Sequence, residues 1–429
     1  MTNKKTTAHR ADSATISCDV LVVGGGAAGV AAAAAAGRAG AQVVLLERYG
    51  FLGGLATVAQ VGTICGLYLR DTTNPEALPV AGGFVQEFAS RLQRAAGCRP
   101  MRLEAGLWVL PFPIPAFARV ADAVIGESGN ITVVLHATVA EAQAEGPRVV
   151  EVRALAWNQP LVACPRTVVD CSGEATAALA GAGVENGIAD QAPSLVFVME
   201  NIDSGLVERG LLEVRRELRR AVEAGSLPAA CERLALVPGM DRNGRLALKL
   251  NLAVAESKRP LWQQVTDWER EARALVDELQ RFLVKNIAAC RNAHLSSVAP
   301  QLGIRSGRRI QGRARLADED VLAARKFPAG IARGAWPMER WGNGPRPEMT
   351  FFSERDCYEI PVDCLRPAGL DNVLAAGRCF SAEAGAMTSA RVIGTALATG
   401  WAAGTVAAFQ ALGRPLDGAV NAIRQQMNS

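Results

Sequence analysis

The stretch CDVLVVGGGAAGVAAAAAAGRAGAQVVLLE, residues 18–47, decides the fold class of this chain of 429 residues. Its first segment, VLVV, is apolar and rich in valine, as expected of a buried parallel strand. Gly24, Gly26 and Gly29 follow in the spacing G-x-G-x-x-G and open an alanine-rich helix. A second apolar strand, VVLL, ends just before Glu47. This order of strand, glycine turn, helix, strand and acid predicts a Rossmann-like unit that binds a dinucleotide.

Each residue of the glycine turn has a separate physical role in this prediction. Gly24 allows the tight turn, Gly26 lets the backbone approach a pyrophosphate, and Gly29 lets the helix pack closely on the strand. The amides at the helix start then face the phosphates, where the helix dipole favours negative charge. Glu47 lies 18 residues beyond Gly29, where a carboxylate accepts ribose hydroxyls and repels a 2′-phosphate. The turn alone does not distinguish FAD from NAD.

Composition bounds the class of protein. The length predicts two domains, and 49% hydrophobic and 21% charged residues with a net charge of +4 indicate a globular protein without a nucleic-acid partner. Ten cysteines without a CxxC pair and three histidines favour neither a disulfide framework nor a metal site. Residues 1–15 are polar and predict a flexible tail without an export signal. The run at 392–412 is built from Ala, Gly and Thr, so we expect no membrane span and a cytoplasmic protein.

Three further motifs follow the glycine turn along the chain. They are VVDCSGEATAALAGAG at 168–183, GIRSGRRIQGRARLADEDV at 303–321, and NVLAAGR with ARVIGTALATGWAAG between 372 and 404. With these motifs the chain resembles the FAD-dependent oxidoreductase family related to the fumarate reductase and succinate dehydrogenase flavoproteins, which has the glutathione-reductase-like fold. The resemblance covers most of the chain, and it implies that the dinucleotide is FAD.

The resemblance also implies the fold class and the domain plan. The fold class is α/β: a Rossmann-like FAD-binding domain, with a parallel sheet, helices on one face and a β-meander, carries an inserted α+β substrate domain. We expect the flexible tail to be followed by the first part of the FAD-binding domain at 16–190, the substrate or cap domain at 191–355, and the C-terminal return of the FAD-binding domain at 356–429.

The resemblance assigns cofactor-binding roles to segments beyond the first turn. The DCSGEA turn closes near the adenosine, AAGR lies beside the pyrophosphate and ribityl chain, and the helix opening near SARVIGTA aims its N-terminus at the flavin pyrimidine edge. Unpaired helix amides and the Arg391 guanidinium there stabilise the negative charge of reduced flavin. The full predicted cofactor-binding set is Gly24, Gly26, Ala28, Gly29, Glu47, Arg48, Gly53, Gly54, Leu55, Thr57, Val139, Ser172, Gly173, Gly377, Arg378, Arg391, Val392 and Thr395.

The segment GGLAT, residues 53–57, predicts how the flavin is held. Gly53, Gly54 and Thr57 are expected to wrap the flavin ring, because glycines let backbone pass close to a flat ligand. In the succinate dehydrogenase relatives a histidine before the equivalent threonine links covalently to the flavin. Ala56 stands in that place here, which predicts non-covalent FAD.

Catalytic candidates come partly from the resemblance. The family carries an arginine pair at the positions of Arg305 and Arg308, near flavin and substrate, where a guanidinium can clamp a carboxylate or offset flavin charge. A solvated basic face is the alternative. His294 is a candidate general base, with a structural histidine as its alternative. Tyr358 is expected near the active-site mouth. Glu383 is the nearest ionisable replacement for a histidine that the family often carries.

The function predicted from these segments is redox chemistry at FAD. No second strand–GxGxxG–helix unit occurs, so we expect no nicotinamide domain and leave the external electron donor or acceptor unspecified. We expect a dehydrogenase or reductase that transfers hydride between FAD and a small organic substrate. Whether this substrate is an anion stays open. Alternatives are a flavin oxidase or monooxygenase using O2, and a flavoprotein subunit of a larger complex. Assembly into a homo-oligomer stays open.

Overall fold

The computed structural model describes residues 14–176, 180–187, 190–203, 206, 211–240, 244–254 and 257–429. The strands are β1 (Ala14–Val23), β2 (Val43–Leu46), β3 (Thr63–Ile64), β4 (Met101–Arg102), β5 (Trp108–Pro111), β6 (Ile131–Val134), β7 (Ala137–Glu145), β8 (Arg148–Ala156), β9 (Gln159–Asp170), β10 (Val184–Asn186), β11 (Ser194–Glu200), β12 (Leu234–Leu236), β13 (Leu246–Asn251), β14 (His294–Val298), β15 (Arg308–Ile310), β16 (Gly330–Gly334), β17 (Met338–Arg340), β18 (Glu348–Thr350), β19 (Tyr358–Pro361) and β20 (Val373–Ala375). The helices are α1 (Ala27–Arg38), α2 (Leu55–Val58), α3 (Gly83–Ala96), α4 (Ile114–Gly126), α5 (Leu212–Glu223), α6 (Leu261–Asn286), α7 (Asp318–Leu322), α8 (Ala384–Ala390), α9 (Ile393–Ala411) and α10 (Leu416–Met427).

The central sheet has the α/β architecture predicted from the sequence. Strands β6, β2, β1 and β9 are parallel neighbours, β20 pairs in parallel with β9, and β9, β8 and β7 form an antiparallel meander. Val23 lies opposite both Leu46 and Asp170, while Val134 pairs with Leu46 and Ala375 pairs with Asp170. The carboxyl ends of all five parallel strands therefore reach one edge of the sheet. In open α/β sheets that edge is where ligands bind.

Helices α1 and α9 pack together through residues without bulky side chains. Every residue of α1 from Ala27 to Gly37 is buried. Gly400 and Gly404 lie one turn apart on α9, and a Cβ added at Gly400 would come within 2.1 Å of the Ala28 carbonyl oxygen. This backbone contact fixes the start of α1, where the glycine turn ends, relative to α9.

A second hydrophobic core is built by the middle of the chain. Strands β12, β13, β11 and β14 form an antiparallel sheet in that order, and α6 packs on it with an apolar face that includes Leu275 and Leu279. The buried residues of this core run from Leu195 to Leu302, whereas those from Leu316 to Phe352 join the core around α1. The second core thus occupies the N-terminal two-thirds of the predicted substrate domain.

The helices and the possible metal-ligating side chains of the described residues bear on membrane spans and metal sites. None of the helices there is by itself long and apolar enough to cross a membrane, although α8 and α9, bent by 95° at their junction, reach that length and composition together. The same residues contain no group of three or more His, Cys, Asp or Glu side chains placed to hold a metal ion.

Candidate cofactor and active site

A cavity of about 220 Å³ opens at the carboxyl edge of the central sheet. Its walls come from the segments that follow β1, β2, β9 and β20, and from the start of α9. The lining residues are Val23, Gly24, Gly26, Ala27, Ala28, Leu46, Glu47, Arg48, Tyr49, Gly53, Gly54, Leu55, Ala56, Ala137, Thr138, Val139, Cys171, Ser172, Gly173, Glu174, Thr176, Gly377, Arg378, Arg391, Ile393 and Ala396.

The glycine turn presents bare backbone to this cavity. Gly24 has φ +94°, a conformation that favours glycine, and a Cβ on Gly29 would lie 1.7 Å from the Gly24 carbonyl oxygen. Gly26 differs from both, because it is extended and a Cβ there would meet no protein atom closer than 3.8 Å. Gly24 and Gly29 therefore shape the turn, while Gly26 leaves the backbone accessible from the cavity.

The loop after α1 and β2 packs directly on this turn. The Gly53 amide donates to the Gly25 carbonyl at 2.8 Å, and a Cβ on Gly54 would lie 2.8 Å from the Gly26 Cα. The Thr57 hydroxyl donates to the Gly54 carbonyl at 2.7 Å. The predicted flavin-wrapping segment is thus held in place by the same turn that is predicted to bind the pyrophosphate.

Glu47 is fixed at the cavity wall by two backbone amides. Its Oε2 accepts the Gly25 N–H at 2.6 Å and its Oε1 accepts the Tyr49 N–H at 2.8 Å, and the residue is only 3% exposed. Burial raises the pKa of Glu47, while the two amides and the Arg48 charge act in the opposite direction. Each carboxylate oxygen keeps a further lone pair that can accept a ribose hydroxyl.

The turn after β9 packs against the Arg378 guanidinium at the opposite wall. Asp170 Oδ1 accepts the Ser172 amide at 3.0 Å and the Ser172 hydroxyl at 2.7 Å, which orders the turn. Gly173 has φ +80°, and a Cβ there would lie 2.2 Å from Arg378 Nη2. The missing side chain lets Arg378 pack against the turn and donate to the Ile304 carbonyl. A positive charge therefore lies at the wall, where it can contact a phosphate.

The start of α9 forms another wall of the cavity. Arg391, Ile393 and Ala396 line it. Val392 is the N-cap of α9 and packs with Thr395 against Gly66 instead. The Gly394 amide in the first turn of this helix donates to the Cys65 carbonyl at 3.0 Å. The first turn carries the positive end of the helix dipole, so an anionic group is favoured beside it.

Most of the predicted cofactor-binding residues line this one cavity. The exceptions are Gly29, Thr57, Val392 and Thr395. Gly29 lies under the turn and Thr57 holds the loop at residues 53–54, so both contribute to the shape of the wall from behind it.

The predicted arginine pair is divided between two surroundings. Arg308 Nε lies 4.0 Å from a carboxylate oxygen of Glu174, which lines the cavity. Arg305 donates to the Ala192 carbonyl and, at 2.8 Å, to Asn251 Oδ1. Arg308 therefore borders the cavity wall, whereas Arg305 belongs to a polar cluster beyond Arg391.

The other three catalytic candidates are absent from the cavity lining. His294 is exposed at the start of β14, with Nδ1 3.4 Å from Asn201 Nδ2. Tyr358 lies in the core instead of at a cavity mouth: it is fully buried and its hydroxyl is 2.7 Å from the Ser389 hydroxyl. Glu383 is the N-cap of α8, and its Oε2 accepts the Asp318 amide at 2.8 Å.

A polar cluster surrounds the far side of Arg391. Arg391 Nη2 donates to Gln191 Oε1 at 3.0 Å and lies 3.9 Å from Glu339 Oε2. The two oxygens of Glu339 accept the indole N–H groups of Trp336 at 2.9 Å and Trp341 at 2.8 Å. Arg391 therefore connects the cavity with side chains from the middle of the chain.

Two further cations flank the Trp341 ring. Lys249 Nζ is 4.7 Å from the ring centroid, and the Arg305 guanidinium carbon is 4.8 Å from it. Burial, with the nearby Arg305 charge, lowers the pKa of Lys249 to about 8. Burial, with repulsion from Arg391 and Arg233, lowers the pKa of Arg305. We call these residues the cation cluster: Arg233, Lys249, Arg305, Arg391 and Glu339.

Sequence reasoning missed most of this cluster. Lys249 stands in the strand LALKLN with leucines on both sides, and Glu339 follows the aromatic segment GAWPM. A single lysine inside an otherwise apolar strand was the available signal, since such a side chain is rarely buried without a function. Gln191 carried no signal of its own.

Comparison with protein families identifies the fold's chemistry. The family model described as FAD dependent oxidoreductase matches residues 19–415. The chain belongs to this family. It is therefore an FAD-dependent oxidoreductase, and FAD is its cofactor. Comparison with curated protein sequences finds no significant match.

Three solved structures with similarity to this flavoprotein share 11–12% of its sequence. A geranylgeranyl bacteriochlorophyll reductase-like protein from Thermoplasma acidophilum has a TM-score of 0.48 and 11% identity, over 96% of this chain and 83% of that one. A flavin-dependent brominase has a TM-score of 0.49 and 11% identity over 96% and 83%. A p-nitrophenol 4-monooxygenase from Pseudomonas putida DLL-E4 has a TM-score of 0.43 and 12% identity over 96% and 81%.

The residues of the cavity fit FAD as a family member requires. The open backbone at Gly26 and the fixed carboxylate of Glu47 suit the pyrophosphate and a ribose, and Arg378 and Arg391 supply positive charge. This cavity brings together cofactor-binding residues predicted from separate segments of the chain, which makes it the candidate cofactor site of the flavoprotein.

Proposed function

We propose that this flavoprotein is a dehydrogenase or reductase that transfers hydride between a small organic substrate and FAD held non-covalently in the carboxyl-edge cavity. The observation that supports it most is the position of Arg391. This residue lines the cavity and also contacts Gln191 and Glu339 in the polar cluster, so cofactor and substrate positions meet at one side chain. FAD supplies the two-electron chemistry when bound.

The chain's own residues would hold the nucleotide end of FAD by backbone and charge. The pyrophosphate would lie over Gly26 and the first amides of α1, where no side chain intervenes. Glu47 would accept the hydroxyls of a ribose from its fixed position. Arg378, packed on Gly173, would offset phosphate charge.

The other end of the cavity would bind the flavin ring. The segment at residues 53–54 offers backbone without side chains, and α9 offers the positive end of its dipole beside Arg391. Positive charge at this wall favours an anionic pyrimidine edge, the state of the reduced ring. The same wall would therefore favour acceptance of electrons from a substrate.

Non-covalent attachment is supported by the residues near the flavin-wrapping segment. Ala56 lines the cavity, and neither His136 nor His294 does. Precipitating the protein with acid is expected to leave intact FAD in the yellow supernatant. Colour that stays in the pellet, with a flavin-bearing peptide after digestion, contradicts this part of the proposal.

Anaerobic mixing tests the reaction class. Candidate substrates are added to the flavin-loaded protein without oxygen, and the flavin absorbance band is followed. Bleaching that persists when air is admitted supports a dehydrogenase, and recolouring of dithionite-reduced flavin by an added substrate without oxygen supports a reductase. Rapid recolouring in air, with loss of O2, supports the oxidase or monooxygenase alternative. Flavin that none of the small molecules reduces, and that none of them reoxidises after dithionite reduction without oxygen, supports the subunit alternative.

A further inference from the structure

The cation cluster holds more positive than negative charge. Four of its members are cations, and Glu339 is its one carboxylate, which leaves three positive charges in surplus. The Glu339 carboxylate is also engaged in other hydrogen bonds, because each of its oxygens already accepts an indole N–H. For Lys249, Arg233 and Arg305, the described part of the chain offers no carboxylate within 4.0 Å. Buried charges in proteins are normally paired, so this surplus calls for an anion from outside the chain.

Buried donors in the same place lack acceptors. Gln191 is 1% exposed, its Oε1 accepts from Arg391, and its Nε2 has no partner among the residues that the structure describes. The same holds for Arg391 Nε and for Nε and Nη1 of Arg233, which is 4% exposed. Leaving such groups unsatisfied is costly, and a ligand that accepts their hydrogen bonds removes that cost.

We propose that the cation cluster is the substrate subsite of this flavoprotein, and that it takes an organic anion with two negative charges on carboxylate or phosphoryl oxygens. The inference rests on the proposed function, since it places substrate beside the flavin through Arg391. Guanidinium and ammonium groups bind both kinds of oxyanion, and two negative charges are needed to offset a surplus of three when Arg391 also faces the cavity.

Reduced flavin alone does not account for the cluster. Its pyrimidine edge carries one negative charge and would face Arg391 and the start of α9. Lys249, Arg305 and Arg233 are outside the cavity lining, on elements of the second core or next to it. They are therefore positioned to bind a molecule that lies beyond the flavin position.

The protonation of Lys249 links this subsite to pH. Burial and the Arg305 charge lower its pKa to about 8, and the neighbouring groups that face it are Arg305, Glu339, Cys65 and Arg391. Burial raises the pKa of the Cys65 thiol to about 12, so this group stays neutral near pH 8. An added anion favours protonated Lys249, so anion affinity should fall as the pH rises through 8.

Titration of the flavin-loaded protein with three probes tests the proposal. The probes are malonate, inorganic phosphate and the neutral diamide malonamide. Binding is read from the flavin difference spectrum and, independently, from the rise in melting temperature with probe concentration. We expect malonate or phosphate to bind and malonamide to fail, and the better of the two anions identifies the oxyanion class. Equal, weak effects of all three probes overturn the proposal.

Matched variants locate the binding. Lys249→Met should weaken the better anion about ten- to hundredfold, and Gln191→Met about tenfold, as expected for lost hydrogen bonds to a charged ligand. Lys285→Met removes an exposed lysine from the last turn of α6 and should leave the affinity unchanged. Equal loss in all three variants, or none in the first two, contradicts the assignment. A protein that takes up no FAD when FAD is added refutes the proposed function instead, and the melting-temperature series on that protein still tests the subsite.

Discussion

The substitution Gly26→Ala separates cofactor binding from folding. Gly26 has φ −70° and ψ −175°, which alanine adopts without strain, and the added Cβ would lie 3.8 Å from its nearest protein neighbour. The stability of the FAD-free protein should therefore change by less than about 1 kcal/mol, because lower entropy of the unfolded chain opposes a weaker helix N-cap. The methyl group points into the cavity, where it would displace the pyrophosphate from the amides of α1.

The expected loss of FAD affinity follows from those amides. Each hydrogen bond from a backbone amide to a charged oxygen contributes about 1.5–3 kcal/mol, so losing one weakens binding roughly ten- to hundredfold. FAD is titrated into the flavin-free protein by calorimetry, and stability is measured by urea unfolding without FAD. Wild-type affinity in the variant refutes the placement of the pyrophosphate over Gly26, and a large loss of stability refutes the geometry of the turn.

Two other glycines serve as controls for this experiment. In Gly29→Ala the new Cβ would lie 1.7 Å from the Gly24 carbonyl oxygen, so the FAD-free protein itself should lose about 3 kcal/mol or more, or fail to fold. Gly126 ends α4 with no atom within 4 Å of its Cβ position. Gly126→Ala should gain about 0.5–1 kcal/mol and bind FAD normally.

The remaining predictions concern the helix pair, a buried cation and a fixed carboxylate. Gly400→Ala places a Cβ 2.1 Å from the Ala28 carbonyl and should lower the free energy of unfolding by about 1–3 kcal/mol or more in urea. Lys249 has a folded pKa of about 8 against a normal 10.5, so the folded state binds fewer protons between these values and stability rises with pH there. Lys249→Met should therefore be more stable than wild type at pH 7, without added anions, and lose that advantage toward pH 10; an advantage that is constant with pH contradicts the assigned shift. Glu47→Gln turns one carboxylate oxygen into an amide donor that faces the backbone N–H of Gly25 or of Tyr49. The free energy of unfolding in urea should fall by about 1–3 kcal/mol, and FAD affinity should fall as well. Unchanged stability refutes the two amide hydrogen bonds.

The first turn of the fold was predictable because its signal is local. Gly24, Gly26 and Glu47 stand at fixed distances from two apolar strands, and the parallel register of those strands brings the turn and the carboxylate to one edge. The segments after β9 and β20 join them for the same reason, since Asp170 and Ala375 end at that edge. Regular strand geometry therefore converts sequence spacing into position.

The catalytic end was less predictable because its contacts join distant segments. Gln191, Lys249 and Glu339 come from three separate stretches, and only the packing of the second core against the first brings them around Arg391. Tyr358 shows the opposite case. It was expected at a cavity mouth, but its ring fills the space left by Gly334 on the paired strand, where a Cβ would lie 2.2 Å from the ring. The sequence pattern of a strand predicts on which face of the sheet a side chain lies. The neighbouring strands and helices determine whether that face is buried.

One helix pair positions both ends of the proposed cofactor site. The first turn of α1 offers the pyrophosphate amides, and α9 begins beside Arg391, where the flavin would end. Because Gly400 and Gly404 dock the two helices backbone to backbone, neither can move along the other without opening a void or a clash. This close backbone contact therefore sets the distance between the phosphate-binding turn and Arg391. Arg391 contacts Gln191 and Glu339, so its position also sets the position of the cation cluster relative to the cavity. A substrate bound at the cation cluster would therefore meet a flavin edge whose position is fixed by Gly400 and Gly404 on α9.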